Sequence, residues 1–148
     1  MSAVNTIIAD DHPLFRSALR QAAATSVPEE YIKETSDIEG LFTLLSAHPE
    51  IELVFLDLTI PGANGLQALS QLRNQYPDIL IIMVSANETP SIIKQAMTLG
   101  ASGYIPKSSS LDIISQAIAH VLNGDNWLPP DIDLNDVQVN DEQSEFSS

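Results

Sequence analysis

The chain has 148 residues, no cysteine and a net charge of −14 from 20 acidic and 6 basic residues; 44% of it is hydrophobic. That length suits one domain with enough core to fold alone, and the lack of cysteine excludes disulfides, thiolate metal sites and thiol nucleophiles. No apolar run approaches the ~20 residues of a membrane span, and the start MSAVNTIIADD lacks the basic region of a signal peptide, so a cytoplasmic setting with no membrane contact is expected.

Strands and helices are predicted to alternate along the chain. NTIIA (5–9) is a short apolar strand. Pro13 then opens a helix with Leu14, Ala18 and Ala22 at helical spacing, since proline is favoured in a first turn. YIKET (31–35) alternates like an outer strand. Ser36 and Glu39 make an S-x-x-E capping box for the helix IEGLFTLLSAH. LVFLDL (53–58) is continuously apolar except for Asp57, as a strand covered on both faces should be. PGANG (61–65) is a turn by composition, and LQALSQLRNQY is a helix ending before Pro77. ILIIMVS (79–85) is a second fully buried strand. A helix from about Pro90 to Leu99 is closed by Gly100. GYI (103–105) is a short fifth strand, followed by Pro106-Lys107. Ser109 and Asp112 repeat the capping pattern before LDIISQAIAHVLN, which Gly124 closes.

This alternation predicts an α/β fold: a doubly wound, five-stranded parallel sheet, (βα)5, in flavodoxin-like order 2-1-3-4-5. The expected domain is residues 1–124. Residues 125–148 hold seven acids and no base, against six bases in the rest of the chain; they read as an acidic linker or disordered tail. A nucleic-acid surface would need a basic patch, so direct DNA binding by this chain is not expected.

Ligands in such sheets bind outside the carboxyl ends of the strands. Asp10-Asp11, Asp57, Ser85 and Lys107 all fall at or just beyond such ends. Each has an ordinary alternative: Asp11 as a helix cap, Asp57 as a strand-exit cap, Ser85 as a locally satisfied hydroxyl, Lys107 as a solvated loop lysine. Together they argue for more. Neighbouring carboxylates repel one another, and a hard cation relieves the repulsion. Magnesium fits an all-oxygen site that keeps waters and shares a phosphate. A bare phosphate site is disfavoured, because DDHP would repel an anion where such sites use glycines and helix amides. Tyr104 reads as core, His12 as a surface residue at a helix start, and His48 and His120 as helix-end residues.

These residues resemble the receiver domain of two-component response regulators over about residues 4–124. The resemblance rests on Asp10-Asp11, Asp57 ending the third strand, Pro61-Gly62 after it, Ser85 ending the fourth, and Pro106-Lys107 after the fifth. ADDHPLFRSALR and VLNGDNWLPP resemble the LuxR/NarL-type subfamily, whose output is a helix-turn-helix. The resemblance implies that Asp57 accepts a phosphoryl group from a sensor histidine kinase or phosphotransfer protein. It implies Mg²⁺ held by Asp11, Asp57 and the Thr59 carbonyl, with Asp10 direct or through water. Lys107 and Ser85 would hold phosphoryl oxygens, Ser85 standing where the family commonly has threonine, and Tyr104 would follow Ser85 as a switch. Homodimerisation on phosphorylation and DNA binding through an output domain absent from this chain are further implications. The linker-like ending favours a receiver cut from a longer protein over a stand-alone one. Two rival readings are an aspartyl-phosphate phosphatase, whose D-x-D would end the first strand, and a binding module that works unphosphorylated. The leading expectation is a signalling switch rather than an enzyme.

Overall fold

The computed structural model describes residues 4–129. The strands are β1 (Thr6–Ala9), β2 (Ile32–Thr35), β3 (Leu53–Asp57), β4 (Leu80–Ser85) and β5 (Gly103–Pro106). Between and after them run α1 (Pro13–Ala23), α2 (Ile38–Ala47), α3 (Gln67–Gln75), α4 (Pro90–Thr98) and α5 (Leu111–Leu122). All strand pairs are parallel, in the order β2-β1-β3-β4-β5. The predicted doubly wound topology is therefore the observed one.

Residue alternation along a strand sends successive side chains to opposite faces. Ile7, Ala9, Val54, Leu56, Ile81 and Met83 pack with α2, α3 and α4. Ile8, Leu53, Phe55, Ile82 and Val84 pack with α1 and α5. Every residue of β3 is buried, which is why that run shows no polar face. Thr6, Asp10, Asp57 and Ser85 are the buried polar residues among those described. Three of the four lie at strand carboxyl ends.

Both predicted caps are displaced by one residue. Asp37, not Ser36, caps α2, accepting the Gly40 N–H at 2.7 Å. Ser110, not Ser109, caps α5, accepting from Ile113 N–H at 3.3 Å. Aspartate and serine are equally good caps, so backbone hydrogen bonds at each helix start choose between neighbours. Ile38 donates its N–H to the Pro61 carbonyl, and Ser109 donates to Pro106. Those bonds fix where each helix begins. Gly62 has φ +90, and a Cβ there would sit 3.1 Å from Ile38. The turn after β3 thus packs against the start of α2.

The chain continues past α5 along the edge of the sheet. Trp127 forms a parallel bridge with Gly103. Its N–H donates to Ser102 O at 3.0 Å, and its carbonyl accepts from Tyr104 N–H at 3.2 Å. Trp127 packs on the α1/α5 side and Leu128 on the other. The stretch expected to be linker or tail lies mostly beyond residue 129, outside the described residues.

Candidate functional site

Parallel strands bring β1, β3, β4 and β5 to one rim, and each delivers a polar group there. Register sets their depth: Asp57 pairs with Val84, and Ser85 with Pro106. The Lys107 N–H donates to the Ser85 carbonyl at 2.8 Å, so the ladder extends one residue and aims Lys107 across the sheet end.

Asp57 is the centre. Its side chain is 1% exposed. Oδ1 accepts from the Thr59 N–H at 3.0 Å and from its hydroxyl at 3.1 Å; Oδ2 accepts from Lys107 Nζ at 3.0 Å. A buried carboxylate costs several kcal/mol unless paired, and Lys107 supplies the pair. The same ammonium lies 3.0 Å from Asp10 Oδ2 and 5.1 Å from the centre of the Phe15 ring. Asp10 is fully buried. Its Oδ1 accepts from the His12 N–H at 2.6 Å, and its carbonyl accepts from Arg16 Nη1 at 2.9 Å. Its Oδ2 has no hydrogen bond, because the nearby Lys107 Nζ is out of line for one. Asp11 stands at the mouth with its side chain 35% exposed.

Asp10, Asp11, His12 and Asp57 each offer a ligand atom, all within 4.8 Å of one another. The oxygens suit a hard divalent cation, and the buried Asp10 Oδ2, which makes no hydrogen bond and has the Lys107 ammonium 3.0 Å away, is the kind of atom such an ion satisfies. Thr59, read only as a carbonyl donor, is exposed and braces Asp57 through its N–H and hydroxyl.

Ser85 is buried, and its hydroxyl accepts from the Asn87 N–H at 3.0 Å. Tyr104 is fully buried, and its hydroxyl donates to the Asn87 carbonyl at 2.6 Å. Burial pushes the Tyr104 phenol up. A hydrogen bond with Ser85 opposes this, while the charges of Glu88 and Asp57 reinforce it. Across the rim the Ser108 hydroxyl donates to Glu88 Oε2 at 3.0 Å.

The structure therefore brings together Asp10, Asp11, Asp57, Thr59 and Lys107, with Ser85 and Tyr104 linked through Asn87. Sequence reasoning missed His12, whose Nδ1 is 2.6 Å from Lys107 Nζ. Its adjacency to the acid pair was the available signal. His48 lies beside Glu50, away from the site.

The response regulator receiver domain family model matches residues 6–119. A glycerol metabolism activator from Pseudomonas putida is 42% identical over 126 residues, covering 85% of this chain and 57% of that protein. A probable transcriptional regulatory protein NarL from Mycobacterium tuberculosis is 30% identical over 130 residues, covering 87% and 59%. The chain thus spans under two thirds of the length of these relatives. The crystal structure of a LuxR-family two-component response regulator from Aurantimonas sp. SI85-9A1 superposes with TM-score 0.79 at 26% identity, covering 93% of this chain and 99% of that one. The matched residues and the shared fold make one case, and this chain belongs to the receiver domains of two-component response regulators, of the NarL/LuxR type.

Proposed function

We propose that this signalling module takes a phosphoryl group onto Asp57. The donor would be a phosphohistidine of a sensor histidine kinase or phosphotransfer protein. The observation that carries the reading is a buried carboxylate at a strand end, held 3.0 Å from a lysine beside two further carboxylates. In the transfer an Asp57 oxygen bonds to phosphorus, the histidine N–P bond breaks, and its electron pair returns to the imidazole. Asp10, Asp11, Asp57 and the Thr59 carbonyl would hold Mg²⁺, which when bound neutralises charge on the phosphoryl oxygens. Lys107 exchanges part of its pairing with Asp57 for a phosphoryl oxygen, as a compact ammonium suits. Ser85 gives its hydroxyl hydrogen to another.

The hydroxyl of Ser85 now holds the Asn87 amide, and Asn87 holds Tyr104. Recruiting Ser85 to a new dianion therefore pulls on residues 85–88, with Tyr104 and α4 next in line. Homodimerisation on phosphorylation follows as the output step. Since the relatives are named as activators and transcriptional regulators, the output in a chain carrying a DNA-binding domain would be control of transcription in the cytoplasm.

Intact-mass measurement tests the assignment. With a small phosphodonor and Mg²⁺ the wild-type chain should gain one phosphoryl group, and Asp57→Asn none. Equal labelling of both would overturn it.

A further inference from the structure

The turn after β3 contains a reactive pair that the phosphoryl pocket does not use. Asn-Gly occurs twice in the chain, at Asn64-Gly65 and at Asn123-Gly124. In such a pair the backbone nitrogen of the glycine can attack the side-chain amide of the asparagine. Glycine has no Cβ to hinder the approach or restrict the backbone, and asparagine is among the thermolabile residues. In a folded chain the reaction depends on how free that one nitrogen is.

The two pairs differ at that atom. Asn64 and Gly65 are both exposed, with φ 50 and φ 64. Among the described residues, neither the Asn64 side chain nor the Gly65 N–H makes a hydrogen bond. The Gly124 N–H, by contrast, donates to the Val121 carbonyl at 3.0 Å. The Asn123 N–H is also engaged, by the Ala119 and His120 carbonyls at the end of α5. A Cβ built on either glycine would meet nothing within 4 Å. Hydrogen bonding, not crowding, therefore separates the two pairs.

We propose that Asn64 is a site of spontaneous covalent modification in the folded protein, whereas Asn123 is protected. The Gly65 nitrogen gives its proton to hydroxide and bonds to Asn64 Cγ. The Cγ–Nδ2 bond breaks, and the side-chain nitrogen takes a proton from water and leaves as ammonia. Water then opens the cyclic imide at either carbonyl, giving aspartate or isoaspartate. Both products add a negative charge to the turn, and isoaspartate also lengthens the backbone by one carbon. The change falls where α3 begins: the Gln67 N–H donates to the Asn64 carbonyl at 3.3 Å, and the Ala68 N–H to the Ala63 carbonyl at 3.1 Å.

Peptide mass mapping of the 148-residue chain after warm incubation at mildly alkaline pH tests it. Asn64 is the sole asparagine of the tryptic peptide 34–73, which isolates its conversion. In the folded chain Asn64 should convert about fivefold faster than Asn123, the factor that one net hydrogen bond represents. Its products should include isoaspartate, which direct hydrolysis of the side-chain amide cannot give. In urea, where neither glycine amide is held, the two rates should converge. Asn64→Gly, with folding checked by thermal melting, should abolish conversion in that peptide. Equal rates in the folded chain, a product free of isoaspartate, or conversion persisting in Asn64→Gly would overturn the proposal. A difference undiminished in urea would place its cause in the flanking residues rather than the fold, and would overturn it too.

Discussion

Tyr104 has no exposed surface and ties its hydroxyl to Asn87. Burial is the main reason its phenol is held above the ordinary value. The fold thus favours the neutral phenol. Its contribution to stability is full below the unfolded value of about 10 and is lost as pH rises through the higher folded value. Urea unfolding of wild type and Tyr104→Phe across that range should show the balance moving toward the phenylalanine variant, which has nothing to ionise. A stability difference independent of pH would contradict this. At the same scale, the acids and Lys107 were legible in the sequence because each ends or follows an apolar run, and parallel strands must bring those ends together. His12 was not. Its position comes from a side chain–backbone bond two residues long, and such local bonds leave no periodic signal. Its half-exposed ring is also compatible with the surface reading it first invited.

Elements were legible where hydrophobic periodicity decides them and blurred where single backbone hydrogen bonds do. All five strands and five main helices lie where the apolar runs put them. The caps moved by one residue because the Pro61 and Pro106 carbonyls claimed neighbouring amides. The Trp127 segment carried no strand signal, because a single bridged residue has no alternation to read. Yet this segment is bonded to the backbone of Tyr104, and Trp127 is the sole tryptophan of the chain. If occupation of Asp57 moves Tyr104, the indole should report it. Intrinsic fluorescence should change when a small phosphodonor and Mg²⁺ are added to wild type and stay constant in Asp57→Asn. Labelling by mass without any fluorescence change would show that the edge segment is uncoupled from the pocket.

The molecule as a whole carries −14, and its cations are largely committed. Lys107 is in the pocket, and Arg16 and Arg20 pair with Glu34. Arg73 donates to the carbonyls of Gly100, Tyr76, Pro77 and Ile79. Non-specific DNA affinity is dominated by clustered lysine and arginine on phosphates. The 148-residue chain should therefore show no retained complex in a gel-shift assay, even at low salt, where screening is weakest. A salt-sensitive complex would reveal a basic surface formed some other way.

An open sheet has two unpaired borders, and each invites a second chain to add a strand. The β2 border carries Lys33 and Glu34 on four short residues. The β5 border lacks charges: it reads GYIP, with an apolar centre and only its last residue unable to donate. Trp127 occupies this border, taking up the Tyr104 N–H and the Ser102 carbonyl that another molecule would otherwise reach. The few residues after α5 thus act as a stopper against edge-to-edge aggregation, and a domain trimmed at the end of that helix would lose its protection on that side.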